Sequence, residues 1–448
     1  MAKGKARPKS TGKSRTKHTA KSAKRKTAKP SKAPAKKRAQ QKGKKGQGRS
    51  VVRKTAAAKK AVKKPSPKPK KVMKPKPAPK AKTQVKTKPN TAPAPAVKTK
   101  KPVEQETAID VATKNSTAPR ARRTALDREF LMDLASSIRN AVLPAIDAAK
   151  GREVIGNAAS GDATFQLDRL AEKALLVFLR DAKLPVAYYS EDSGYTTFTS
   201  GQPEHLLVVD PIDGTRAAKS GFEWCVVSIG STRVIERPYI GDIDTALVME
   251  LMGPRTFYAE RGKGARLYID GQYRKPRLSR NAELETVVWS MTVPARPAEL
   301  IFPTAAKLID LTSLKGGFYA CNSTSYSLTR LLTDQLDACI DIANRYYRDI
   351  PEVVQDQFIN AGRGAVLGIA PYDIAASLLI AEEAGCIVTD AYGKTLRDVL
   401  LLDSATGNHR SMVAAANAEL HEKLLSFFDT RIRQYEQLLE RRAELSSS

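Results

Sequence analysis

The first hundred residues contain no aspartate, no glutamate and no phenylalanine, tyrosine or tryptophan. A segment without aromatic side chains and so rich in charge has too little apolar surface to offset the entropy of ordering it. That excludes a packed domain there and predicts disorder. Elsewhere the chain has no apolar run approaching about eighteen residues, so no membrane-spanning helix is expected. The basic start, Met1 to Lys9, has no apolar stretch behind it, which argues against a secretory signal. Its basic, acid-poor composition is also that of organelle-targeting peptides. Cysteine is scarce. Cys225, Cys321, Cys339 and Cys386 are widely spaced, which excludes a disulfide frame or a zinc site. They read as buried free thiols in a reducing compartment.

What is present divides the chain into two materials. Of the 77 Lys and Arg, 37 fall in residues 1–100. The other 348 residues hold 40 basic and 46 acidic groups, a net of −6, although the whole chain carries +31. The tail also has 12 of the 26 prolines, with short extended pieces expected around Pro65 to Pro67 and Pro75 to Pro79. Such a tail can attach nonspecifically to DNA or RNA by neutralising phosphates, which needs no fixed fold. A solubilising tail is the alternative. By composition the segment resembles the Lys/Ala/Pro-rich tails of linker histones and some nucleoid proteins.

The pattern changes at Ala125. Leu126, Phe130, Leu131, Leu134, Ile138 and Val142 recur at helical spacing, and a second helix is expected from Asp168 through Phe178. Short strands follow, at Leu206 to Asp210, Cys225 to Ser231, Thr245 to Leu251, Arg255 to Tyr258, Ala265 to Ile269 and Val287 to Met291. Ser325 to Thr333 reads as a helix, Ala338 to Ile342 as a strand, Ile374 to Ala384 as an apolar helix and Cys386 to Thr389 as a strand. Asn417 to Leu445 carries an apolar stripe, fit for docking on the core or for pairing with a second copy. The organisation expected is a tail over 1–105, a linker over 106–124, a catalytic domain over 125–430 and a helical extension over 431–448. Its fold class is α/β in stacked layers.

Four groups of acids carry the chemistry. Asp210-Pro211-Ile212-Asp213-Gly214-Thr215 closes an apolar run with two carboxylates and a Gly-Thr pair. Asp168 and Glu172 sit four apart on one helix face. Glu191 lies in Ser190-Glu191-Asp192-Ser193-Gly194, and Asp373 follows Pro371-Tyr372 at a helix start. Hard cations such as Mg²⁺ take carboxylate and carbonyl oxygens, so converging acids beside backbone N–H groups suit a metal next to a phosphate. Singly, Glu191 reads equally as a turn residue, Asp373 as an N-cap, and Asp168 and Glu172 as surface acids.

These motifs resemble those of the inositol monophosphatase family of Mg²⁺-dependent, lithium-sensitive sugar and nucleotide phosphatases. The match takes in Ser190 to Gly194, Asp210 to Thr215, Gly221-Phe222, Val227 to Gly230, Phe257 to Ala265, Asp162 to Asp168 with Glu172, and Tyr372 to Ser377 with Glu383-Ala384-Gly385. The resemblance implies an α-β-α-β-α sandwich, a homodimer and two or three Mg²⁺ ions acting on a small phosphorylated substrate. The location expected is the cytoplasm, with the nucleoid or other nucleic acid as the place the basic tail would take it. By it, Glu191, Asp210 and the carbonyl of Ile212 hold one ion, and Asp210, Asp213 and Asp373 a second. Asp168 and Thr215 orient the attacking water, supported by Glu172, while Gly214 and Thr215 bind the phosphate.

The match has departures. Arg216-Ala217-Ala218-Lys219 replaces a polar-aromatic pair, so Arg216 and Lys219 either add positive charge near the phosphate or sit at the surface. Tyr372 stands for tryptophan, Ser377 for glycine, and Asn322-Ser323-Thr324 where Gly-Ser is common. Val366 falls where inositol-specific members carry a sugar-binding carboxylate, which makes inositol phosphate itself a weaker expectation. The chain is also longer than the family plan between Asp341 and Asp373, as a pocket wall, a lid or a surface loop.

Overall fold

The computed structural model describes residues 126–147, 154–157, 163–198 and 201–447. The expected tail over 1–105, the linker over 106–124 and Asp162 lie outside the described residues. Helix α1 (Arg128–Asp147) buries Phe130, Leu131, Leu134, Ile138 and Val142, the face its three- and four-residue spacing predicts. A hairpin of β1 (Val154–Asn157) and β2 (Ala163–Phe165) leads into α2 (Gln166–Ala182). Next come β3 (Val186–Ser190), β4 (Gly194–Thr197), β5 (His205–Asp213) and one helical turn, α3 (Thr215–Ala218). Then β6 (Val226–Thr232), β7 (Thr245–Glu250), β8 (Arg255–Glu260), β9 (Ala265–Ile269) and β10 (Gln272–Arg274) follow as an antiparallel run. The large sheet has eight strands in the order β10-β9-β8-β7-β6-β5-β3-β4.

The second half begins with β11 (Val288–Met291), α4 (Ala298–Thr312), β12 (Gly317–Tyr319), α5 (Thr324–Leu331) and β13 (Ala338–Asp341). It continues with α6 (Ala343–Asp349), α7 (Pro351–Ala361), α8 (Pro371–Ala384), β14 (Ile387–Thr389), β15 (Met412–Ala415) and α9 (Ala418–Ser447). Its five strands are ordered β12-β11-β13-β15-β14.

Helices and sheets alternate. α1 and α2 cover one face of the large sheet, with Phe130, Leu175, Val209 and Val227 in the core between them. α5 and α8 pack on its other face, in a core that also takes Cys339, Val388 and Ala414 from the small sheet. α8 has water on no side, which is why Ile374 to Ala381 are apolar or small all round. α4 and α9 close the outer face of the small sheet around Trp289, Leu308 and Phe428.

Several elements differ from the sequence expectation. Three helices, α4, α6 and α7, lay hidden behind Pro303, Pro351 and the prolines before Ala298. Pro351 opens α7, where proline costs a helix little because the N–H it lacks is unpaired in any case, whereas Pro303 stands inside α4. The insertion before Asp373 is therefore largely helical. β3 was missed because it is buried along all five residues and shows no alternation. α9 is buried at Leu420, Leu424, Phe428 and Ile432, whereas Leu438 is 59% exposed. Its stripe docks through the first half. All four cysteines are buried free thiols.

Candidate active site

The central acids owe their placement to a bulge in β5. Asp210 faces Ser228 of β6 and Asp213 faces Val226, so the pairing slips by one residue between them. In an unbroken strand, residues three apart point to opposite faces. The extra residue turns Asp213 to the side that Leu206 and Val208 share, towards α5, while Val209 and Ile212 both enter the core under α1 and α2. Pro211 sits at the bulge, where a strand tolerates a missing N–H.

Each aspartate is fixed by a backbone donor. Asp210 Oδ1 accepts from the Ile212 N–H at 3.0 Å. Asp213 Oδ2 accepts from the Ser325 N–H at the start of α5, at 2.6 Å. Asp373 Oδ2 accepts from the Ala370 N–H at 3.0 Å, capping α8. Asp373 thus serves as a cap and also faces the site.

One cavity of about 140 Å³ is lined by Asp168, Glu172, Glu191, Asp210, Asp213 and Asp373 together. Ile212, Gly214, Thr215 and Arg216 line it too. Lys219, the C-cap residue of α3, is not among its walls. Burial pushes the carboxyl of Asp210 well above the usual range, and the charges of Asp213, Asp373 and Glu191 add to the shift. Asp373 is raised in the same way, first by burial and then by Glu191 and Asp213. Burial pushes Asp213 up to about 6, against the opposing hydrogen bonds from Ser323, Thr324 and Ser325.

Thr215 Oγ1 lies 2.8 Å from Asp168 Oδ1 and 3.0 Å from the Ile212 carbonyl oxygen, its two acceptors. Glu172 is buried beneath this pair. Its Oε1 accepts from Ser190 Oγ at 2.8 Å, from the Tyr188 hydroxyl at 3.2 Å and from Ser193 Oγ. Burial raises its pKa. Gly214 has φ +98°, and a Cβ there would stand 2.3 Å from the Trp224 carbonyl oxygen. No other residue fits that turn without moving the backbone.

The far wall was not legible as a site. It consists of Thr292, Pro294, Arg296, Leu367, Gly368 and His409. Arg296 donates through Nε and Nη2 to Asp341 Oδ2 at 3.1 and 2.9 Å. Burial, with the charge of Arg296, pushes His409 down to about 4, so the ring is neutral at pH 7. Val366 packs against the outer core, while its neighbours Leu367 and Gly368 face the cavity. The insertion therefore supplies part of the pocket wall. Tyr372 is buried with its ring 5.1 Å from that of Tyr189. Ser377 receives the Ser325 hydroxyl at 3.0 Å. Ser325 also donates to the Asp373 carbonyl oxygen at 2.9 Å. That one residue, marked in the sequence by nothing but a run of small polar side chains, ties the turn of Asp213 to the helix of Asp373.

The donor set suits a hard divalent cation. It offers carboxylate and carbonyl oxygens, and its acids raise one another's pKa, a repulsion that a bound cation would relieve. Among the described residues, no three His, Cys, Asp or Glu side chains are already drawn together as a set that could hold a metal ion. The backbone bonds of Asp210, Asp213 and Asp373 hold those carboxylates separately.

The sequence pattern of the inositol monophosphatase family matches residues 127–433. The chain belongs to the inositol monophosphatase family. Membership supports a metal-dependent phosphomonoesterase of sugar or nucleotide phosphates, at the level of the superfamily. A Methanococcus maripaludis bifunctional NADP phosphatase/NAD kinase is 25% identical over 316 residues, which is 68% of this chain. The match spans half the length of that relative. A Thermococcus kodakarensis fructose-1,6-bisphosphatase/inositol-1-monophosphatase is 27% identical over 298 residues, 66% of this chain and 95% of that protein. The crystal structure of the extragenic suppressor protein SuhB from Bartonella henselae superposes with a TM-score of 0.50 at 19% identity. It covers 67% of this chain and 97% of that one, and bears on the fold alone. No described helix is long and apolar enough to cross a membrane.

Proposed function

We propose that this protein is a Mg²⁺-dependent phosphomonoesterase acting on a small sugar, inositol or nucleotide phosphate. The observation that carries the reading is the Thr215–Asp168 hydrogen bond of 2.8 Å, inside the cavity that gathers the three aspartates and Glu191. Glu191, Asp210, Asp213, Asp373 and the Ile212 carbonyl would hold two or three ions. Bound Mg²⁺ would gather phosphate oxygens, raise the acidity of a water and stabilise the leaving oxygen. Asp168 fixes the Thr215 hydroxyl, whose remaining lone pair can accept a hydrogen bond from that water and aim it at phosphorus. The N–H groups of Gly214 and Thr215 would donate to the phosphate, and Arg216 adds positive charge at the rim. The proposal extends to a homodimer in the cytoplasm, with residues 1–100 as a contact for DNA or RNA.

Phosphate release with Mg²⁺ from an inositol phosphate, fructose bisphosphate and 3′-phosphoadenosine 5′-phosphate tests it. Asp210→Asn is expected to lower turnover by more than about 100-fold, beyond what loss of an outer partner costs a metal site. Comparable turnover by that variant overturns the reading. The acid-free tail favours a second reading, a catalytically weak member that acts with nucleic acids. Failure of the chain to bind Mg²⁺ at millimolar concentration would select it.

A further inference from the structure

A second cavity, of about 580 Å³, lies apart from the acidic one. The end of α6, the start of α7, the turn from Asp390 to Lys394 and the pair Thr406-Gly407 enclose it. Its size is that of a small-molecule pocket. Its acids are Asp349, which is ion-paired, and Asp390, whose charge is held among the described residues by backbone N–H groups alone. Asp349 accepts from the Tyr392 hydroxyl at 2.6 Å and pairs with Arg345 at 3.3 Å. Asp390 Oδ1 accepts from the N–H groups of Tyr392 and Lys394 at 2.9 and 2.8 Å, closing its own turn.

The cations lining it are Arg348 and Lys394, and Arg410 adjoins it through Gly407. Arg348 Nη2 and Arg410 Nη1 both donate to the carbonyl oxygen of Gly407, at 2.8 and 3.2 Å. Two guanidinium groups thus converge on one neutral acceptor. Arg410 also donates to Asn408 Oδ1 at 3.1 Å and to the His409 carbonyl oxygen at 2.9 Å, both neutral. Among the described residues, neither arginine stands in an ion pair. Burial lowers the pKa of Arg410, and the charge of Arg348 lowers it further, although Asp390 and Asp403 act in the opposite sense. Lys394 lies 5.8 Å from the Tyr392 ring centroid and is exposed on the same groove.

We propose that this groove is a second anion site, which takes a phosphate group, free or on a small ester, between Arg348 and Lys394, with Arg410 adjoining it through Gly407. A dianion would accept charge-assisted hydrogen bonds from Arg348 and Lys394 and would offset the positive charge that Arg410 adds beside them. Thr406 and Tyr347 offer hydroxyls for further bonds to the phosphate or its alcohol. The site does not rest on the phosphatase reading, although its Thr406-Gly407 wall adjoins His409 of the acidic cavity.

Thermal unfolding of the full chain in EDTA tests it, with inorganic phosphate or a sugar phosphate titrated at constant ionic strength against chloride. EDTA keeps cations from the acidic cavity, whose carboxylates then repel phosphate. A saturable rise in Tm is expected for the parent and for Asp210→Asn. Arg348→Ala and Lys394→Ala should each weaken the midpoint about tenfold or more. Both side chains are exposed and bury no partner acid, so these variants should fold. Phosphate bound by residues 1–100 is common to every variant and cancels. A rise with both ligands marks phosphate itself as the recognised group, and a rise with the ester alone includes its alcohol. Titrations by Arg348→Ala and Lys394→Ala that match the parent, or no saturable rise in the parent, overturn the site. Turnover with Mg²⁺ should persist in Arg348→Ala, so failure of this inference and failure of the phosphatase reading give different results.

Discussion

His409 shows how far a single residue can depart from its ordinary behaviour. Its ring is 3% exposed, and its folded pKa is near 4 against the ordinary 6.5. The unfolded chain therefore binds the proton more tightly. Stability from the neutral ring is complete above pH 6.5 and is lost as pH falls towards 4, a span of about 3 kcal/mol. Asp210, Asp213, Asp373 and Glu172 act in the opposite direction, because their raised pKa values favour the folded state as pH falls. The measurement is thus a difference. Urea unfolding in EDTA, from pH 7 to pH 4, should show the parent losing more stability than His409→Gln. Parallel curves would remove the assignment. The acids of the site were legible because each sits in a short contiguous motif whose chemistry is plain. His409 and Arg296 were not, because a late turn and a proline-rich loop bring them in from distant sequence.

At the scale of elements, the site depends on how β5, α5 and α8 are joined. The β5 bulge aims Asp210 and Asp213 to one side, but Asp373 arrives on another helix some 160 residues later. Ser325 bridges them: its N–H holds Asp213, and its hydroxyl holds the Asp373 carbonyl oxygen and meets Ser377. Ser325→Ala keeps the N–H and removes the hydroxyl. Stability should fall by about 1 kcal/mol, as for one buried hydrogen bond. Mg²⁺ affinity, read by calorimetry without substrate, should fall about 10-fold, and Ser325→Thr should recover part of it. Unchanged Mg²⁺ affinity with lowered stability would leave Ser325 as a packing residue. The helices α1, α2 and α9 were legible from their spacing, and α8 from its length of apolar sequence. The link through Ser325 was not, because hydrogen bonding between helices leaves no periodic trace, and α4, α6 and α7 were masked by prolines that read as breaks.

The whole molecule sets a segment with 37 cations and no acid against 348 residues of net −6. Family membership accounts for residues 127–433 and leaves that segment outside it. If it contacts nucleic acid, affinity should come from counterion release, with a log–log salt slope of about −0.9 for each phosphate neutralised. Six to ten contacts would cost roughly 10³ to 10⁵ in affinity between about 50 and 200 mM salt. Fluorescence anisotropy on an unrelated DNA duplex should show that dependence for the full chain and little sequence preference. A chain starting at residue 101 should lose the binding and keep its Mg²⁺-dependent turnover, because none of the acids lining the cavity lies before residue 168. Equal DNA affinity after truncation would exclude the tail as the contact. Loss of solubility, with no DNA binding by either chain, would make it a solubilising segment. A loss of turnover on truncation would overturn the independence of catalysis from the basic segment.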